Sequence, residues 1–171
     1  MAIRSAPLVP SSVTRTLICV DSVDDSIITG TLHNPCFPAP ISFRDVDMLM
    51  ALMERFFEVI SYPQANFKFR SFQGRDSSIP FPAIPALPSS HNLDLPKERG
   101  AVCTFLLHVK LRKSASWQGT LYCAEEDREW AIRSDLEFAL LLERVLCRRF
   151  RRRLCRSWSA SQRYRPGESS A

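Results

Sequence analysis

The stretch CTFLLHVKLRKSASWQGTLYCAEEDREWAIRSDLEFALLLERV, residues 103–145, decides the reading of this chain. Cys103, Phe105, Leu107, Val109 and Leu111 are apolar, with Thr104, Leu106, His108, Lys110 and Arg112 between and after them. Successive side chains of an extended chain point to opposite faces. This period of two therefore predicts a strand with one face buried, and Leu106 makes the other face partly apolar. Ser114 to Ser116 marks a turn, after which Trp117, Gly119, Leu121 and Cys123 alternate again and complete an antiparallel hairpin. The acidic turn Glu125-Glu126-Asp127 leads into a short third strand, Trp130 to Ile132. The period then becomes helical. Ser134 is the N-cap, Glu137 three residues on completes a capping box, and Asp135 complements the dipole. Phe138, Leu141, Leu142 and Val145 supply the apolar stripe.

Sliding the sequence by 89 residues lays this pattern over an earlier one without gaps. Leu17-Ile18-Cys19-Val20 falls on Leu106-Leu107-His108-Val109, and Gly30-Thr31-Leu32 on Gly119-Thr120-Leu121. Phe43-Arg44 falls on Ile132-Arg133, and Leu52-Met53-Glu54-Arg55 on Leu141-Leu142-Glu143-Arg144. Nine of the 41 pairs from position 17 to 57 are identical, and ten of the other 32 keep apolar character. Ile18 and Val20 mark a first strand, Ile28, Gly30 and Leu32 a second, and Asp45 caps a helix from Val46 to Ile60. The expected fold class is α+β: two tandem βββα repeats forming a pseudo-dimer, with an antiparallel sheet and helices on one face. One such unit has too small a core to stand alone, so two copies share a sheet or pack face to face.

The domain boundaries follow. Residues 1–14 are expected to be a disordered N-terminus, 15–60 the first repeat, and 61–101 a Pro-rich insert. Residues 102–147 are the second repeat, and 148–171 a basic tail able to extend the last helix. In the insert, Phe67 and Phe69 suggest an added strand. Ser77 to Pro96 holds five of the 12 prolines and reads as a linker or surface arm rather than a packed element.

Charge is unevenly spread. Residues 144–171 carry nine Arg and one Glu, a net +8, so the total of +5 leaves residues 1–143 at −3. An anionic partner is therefore to be sought at the tail. No apolar run reaches the roughly 18 residues of a membrane span, and no secretory signal is seen, so a cytoplasmic location with reduced thiols is expected. The six cysteines stand singly, with no Cys-x-x-Cys pair, so structural thiols are expected, with no metal and no cofactor.

Ser114-Ala115-Ser116-Trp117-Gln118-Gly119-Thr120 together with Ile132-Arg133-Ser134-Asp135-Leu136-Glu137-Phe138 resembles a signature of small uncharacterised bacterial proteins, (N/S)ASWQGT followed by (F/I)RSxLEL. The resemblance covers about residues 103–146 and implies a shared fold; it transfers no catalytic residue. Members of that group end soon after this helix, so the Arg-rich tail is a departure from their pattern.

No nucleophile elbow, Walker loop or dinucleotide fingerprint is present, and the expectation is that the protein is not an enzyme. His33, His91 and His108 are scattered, and His108 falls on Cys19 in the repeat. The acids Asp21, Asp24 and Asp25, and Glu125, Glu126, Asp127 and Glu129, read as solvated turns, with a divalent metal the alternative. Arg44 and Arg133 stand at equivalent strand-to-helix junctions, where they bind an anion or pair with the chain's own acids. Trp117 is either core or a stacking platform. In the tail, Arg148, Arg149, Arg151, Arg152, Arg153 and Arg156 surround a stripe of Cys147, Phe150, Leu154 and Trp158. Such a helix suits nucleic-acid phosphates, an anionic membrane surface or an acidic protein groove, and a solvated tail without a partner is the remaining option.

The expected function is thus a non-enzymatic binding or regulatory module. Its body meets an unidentified protein partner or a second copy, and its tail meets an anionic polymer, with nucleic acid first. The alternative is a peripheral membrane or assembly protein anchored by the same tail, and after it a small metal-dependent hydrolase.

Overall fold

The computed structural model describes residues 11–24, 27–64, 81–84, 97–113 and 116–161, with side chains to Arg149. Its elements are β1 (Arg15–Asp24), β2 (Ile27–His33), β3 (Ile41–Phe43), α1 (Val46–Ile60), β4 (Cys103–Leu111), β5 (Gln118–Cys123), β6 (Arg128–Ile132) and α2 (Asp135–Ser161). The strands make one antiparallel six-stranded sheet in the order β3-β2-β1-β4-β5-β6. The protein is α+β, with β1 and β4 paired at the centre and the short strands β3 and β6 at the edges.

Register ties the two halves together. β1 and β4 pair through Leu17 opposite Leu106. β1 runs against β2 from Leu17 opposite His33 to Val20 opposite Gly30, then slips by one residue between Val20 and Ser22. β4 runs against β5 from Phe105 opposite Cys123 to Val109 opposite Gly119, then slips between Val109 and Leu111. Gly30 faces Phe43, and Gly119 faces Ile132. Adding 89 to both members of Val20–Gly30 or Gly30–Phe43 gives the matching pair, Val109–Gly119 or Gly119–Ile132.

The two glycines have a steric cause. A Cβ on Gly30 would lie 2.0 Å from the Cys19 carbonyl oxygen, and one on Gly119 would lie 1.9 Å from that of His108. Both sit beside a bulge, where the extra residue pushes the neighbouring backbone close.

One face of the sheet carries the core. Ile18, Val20, Leu32, Phe105, Leu107, Val109 and Leu121 share a cluster with Leu49, Leu52, Met53, Phe56 and Phe57 of α1 and Phe138, Leu142, Val145 and Leu146 of α2. Trp117 joins the helices: its ring is 5.7 Å from Phe57, edge to face, and 5.4 Å from Phe138. Each such fully buried large side chain contributes on the order of 2–3 kcal/mol of transfer free energy. Helix starts are set as the sequence implies. Asp45, extended at φ −164°, accepts the Met48 N–H at 2.6 Å, and Ser134 Oγ accepts the Glu137 N–H at 3.0 Å. α1 stops at Ser61, whose left-handed φ of 53° turns its N–H back onto Glu58 O.

Three boundaries differ from expectation. Residues 1–14 are not wholly without structure, since Ser11–Thr14 forms a 3-10 turn that buries Val13 and hydrogen-bonds Thr14 Oγ1 to Val109 O at 2.6 Å. The insert is not only a surface arm: Phe81 and Ile84 pack against the core, with the Phe81 ring 5.7 Å from Phe37 and 6.2 Å from Phe56. Proline removes ladder donors but does not prevent a neighbouring aromatic from being buried. Residues 97–102 also fasten to β1, where Val102 N–H reaches Val20 O and Ala101 N–H reaches Asp21 Oδ1. The suggested strand at Phe67 and Phe69 lies outside the described residues, as do His91 and Asp25. Among the described residues no helix is long and apolar enough to cross a membrane.

Candidate functional site

The hairpin of β4 and β5 brings three chemistry-bearing side chains together at its open end. Phe105 pairs with Cys123, so Cys103, two residues earlier on the same face, stands diagonally across from it. The sulfurs are 3.4 Å apart and both cysteines are fully buried free thiols. The chain then turns at Ala124–Asp127, with Asp127 left-handed at φ 46°, and this folds Glu125 back over the pair. Glu125 Oε2 lies 3.1 Å from Cys103 Sγ and 3.6 Å from Cys123 Sγ. The same oxygen accepts the Thr104 N–H at 2.8 Å, which fixes the carboxylate, and Thr104 Oγ1 accepts the Gly100 N–H at 3.1 Å.

Proton affinities within the cluster diverge. The hydrogen bond with Cys123, together with burial, pushes the Cys103 thiol far above its ordinary value. The hydrogen bond from Cys103 draws the Cys123 thiol below its own, against the effect of burial. Burial opposes the charge of Glu125, but hydrogen bonds from the Thr104 N–H and the Cys103 thiol outweigh it and hold the carboxyl below the usual range. Burial alone keeps Cys36 protonated, raising it to about 11, and burial with the nearby Asp21 charge raises Cys19 to about 11. Two thiols and a carboxylate converging on one point can share protons or hold a soft cation.

A second polar cluster links the halves. Glu54 of α1 accepts the Trp117 indole N–H with one oxygen and pairs with the Arg112 guanidinium through the other. Arg112 is 8% exposed, lies 5.5 Å over the Phe57 ring, and has an Nε with no hydrogen-bond partner among the described residues. Its counterparts 89 residues away, Val23 and Ile28 for Arg112 and Trp117, are apolar, so this cluster exists on one side only.

The face of the sheet opposite the core carries a shallow groove of about 410 Å³, lined by Leu17, Thr104, Leu106, Tyr122, Ala124 and residues 97–99. His33 and His108 lie on this face. His33 Nε2 meets Thr31 Oγ1 at 3.0 Å, and His108 Nε2 meets the Ser11 carbonyl at 3.0 Å. Neither reaches the thiol cluster.

The sequence-predicted residues fall apart from one another. Arg44 and Arg133 are exposed and follow β3 and β6, at opposite edges of the sheet. At about 4.8 Å per strand that is roughly 24 Å, too far for one anion to bridge. Neither pairs with a carboxylate among the described residues, whose salt bridges are Arg55–Glu58 and Arg112–Glu54. The helix N-termini beside them already hold the chain's own acids: Asp45 on Met48 N–H, and Glu137 on the Arg133 N–H at 2.7 Å. Trp117 is fully buried and presents no face for stacking. Arg148 is exposed and Arg149 half-buried on α2. Arg151, Arg152, Arg153 and Arg156, with Phe150, Leu154 and Trp158, lie on the same helix, and their side chains are outside the described set.

Sequence reasoning missed Cys103, Cys123 and Glu125 as a group because it looked for ligands inside one turn. The signal was present: both cysteines belong to the apolar alternation of the two hairpin strands and stand at their outer ends. Compared against protein families, curated proteins and solved structures, the chain matches none.

Proposed function

We propose that this protein is a non-enzymatic binding module, built by tandem duplication of a βββα unit, that engages nucleic acid through the Arg-rich extension of α2. The observation that carries this reading is the length of α2. It has 27 residues against the 15 of α1, and the first 15 correspond to α1 residue by residue at an offset of 89. The excess begins at Phe150, so Arg151, Arg152, Arg153 and Arg156 lie on a helical segment without a counterpart in the first half, continuous with Arg148 and Arg149. Six guanidinium groups on about 14 Å of helix match the charge density of a phosphate backbone. The shared registers, the equivalent bulges and the paired glycines support the duplication.

The body supports a role in protein contact. Leu136 and Leu140, four residues apart on α2, are 66% and 52% exposed, and the groove on the opposite sheet face is largely apolar. A mobility-shift titration of single- and double-stranded nucleic acid with the full chain, repeated across a salt series, tests the proposal. Binding to anionic vesicles without binding to nucleic acid would favour the membrane-anchored alternative instead.

A further inference from the structure

We propose that Cys103, Cys123 and Glu125 form a binding site for a thiophilic divalent cation of the zinc type, with both sulfurs and one carboxylate oxygen as ligands. The three ligand atoms lie within 4.8 Å of one another. A tetrahedral zinc ion with bonds of about 2.3 Å to sulfur and about 2.0–2.2 Å to oxygen needs ligand-to-ligand edges of roughly 3.5–3.8 Å. The edges here are 3.4, 3.1 and 3.6 Å, so a cation enters with movements of a few tenths of an ångström. The ion displaces the thiol protons, and two thiolates with one carboxylate favour a soft or borderline metal over magnesium or calcium.

The surroundings fit the same purpose. The two sulfur ligands come from strands whose register is fixed by five residue pairs from Phe105–Cys123 to Val109–Gly119, and Glu125 is held over them from the following turn by the Thr104 N–H, so the site is formed before any ion arrives. The Thr104 N–H orients the carboxylate in the manner of an outer-shell donor, and Thr104 is itself held by Gly100. The cysteines are buried while Glu125 is exposed, so the ion is reached from the Glu125 side and takes its fourth ligand, water or a donor from a partner, from there. A site with three protein ligands and one open position is a metal-dependent docking point as much as a structural clasp.

The experiment uses the full chain, reduced and metal-free, titrated with cobalt(II) and then zinc(II). One equivalent of cobalt should give thiolate-to-metal charge-transfer absorption that one equivalent of zinc abolishes. Cys123→Ser should remove the band, and Glu125→Gln, at an exposed turn position where the fold is easily checked by circular dichroism, should weaken cobalt binding by roughly tenfold or more. Cys19→Ser and Cys36→Ser should leave it unchanged. No band at one equivalent while both thiols titrate as free, a band that survives in folded Cys123→Ser, or binding indifferent to Glu125→Gln would each overturn the proposal.

Discussion

Glu54 on α1 accepts the indole N–H of Trp117, the residue just before β5 in the other half of the sheet, and its second oxygen holds Arg112. Removing Glu54 leaves a buried guanidinium and a buried indole donor unpaired. Glu54→Ala is expected to destabilise by about 2–4 kcal/mol, somewhat less than for a fully buried pair because the Glu54 side chain is 35% exposed. Arg112→Met in that background should recover part of the loss, since it removes the orphaned charge. Urea denaturation of the two variants checks this, and a Glu54→Ala cost under about 0.5 kcal/mol would show the cluster to be without structural weight.

Gly30 and Gly119 should respond alike to alanine. At each, the obstructing atom is a backbone carbonyl of a central strand, which cannot rotate away as a side-chain tip can. Each substitution is expected to cost at least about 1–3 kcal/mol, the range for forcing atoms into a packed interior. Thr31→Ala beside them should cost much less. A neutral Gly119→Ala would mean the bulge relaxes freely.

How much of this was legible beforehand divides along physical lines. Local rules placed α1 at Val46–Ile60 behind Asp45 and α2 at Asp135 behind Ser134, because capping and helical period act within a few residues. The alternation of Cys103 to Leu111 located β4 for the same reason. The pairing of β1 with β4 joins residues almost 90 apart, and no local pattern states it. The Trp117–Glu54 bond joins α1 to the opposite hairpin and is invisible for the same cause. The thiol cluster lies between these cases, since its hairpin was legible but the backward fold of Glu125 depends on turn geometry. Arg44 and Arg133 follow β3 and β6, and because the strand order puts these two at the edges, the residues lie at opposite ends of the sheet, which no local pattern states.

Buried thiols should react in the order that exposure dictates. Cys147 is exposed on α2, whereas Cys19 and Cys36 are buried and raised to about 11, so few of their molecules are thiolate at neutral pH. Limited alkylation of the native protein followed by peptide mapping should find Cys147 modified well before either. Prior modification of Cys36 would show that the core opens on the labelling timescale.

His108 gives the fold a pH dependence on the acid side. Burial lowers its pKa below the ordinary 6.5, outweighing the opposing hydrogen bond to Ser11 O. The unfolded chain therefore binds more protons than the folded one between the lowered value and about 6.5, so stability rises with pH through that window and is lost as pH falls through it. His108→Gln should flatten the stability profile between pH 7 and pH 5 relative to the parent. An unchanged slope would assign the effect to other groups.

The tail carries the last and most consequential expectation. Removing residues 148–171 deletes eight Arg and one Glu and takes the net charge from +5 to −2. The fold should survive, because Phe138, Leu142, Val145 and Leu146, which seat α2 on the sheet, all precede the cut. Nucleic-acid affinity should disappear in the truncated chain. In the full chain, if about six phosphates are neutralised, affinity should fall roughly a thousandfold between 50 and 200 mM salt, because each contact releases a condensed counterion. Phe150→Ala with Trp158→Ala separates the two anionic partners. Vesicle binding draws on buried apolar area and should collapse with those rings gone, while phosphate contacts made by guanidinium groups should persist. A truncated protein that keeps its nucleic-acid affinity would move the site off α2. The separation of Arg44 from Arg133 across six strands would then require two contact points on the body rather than one.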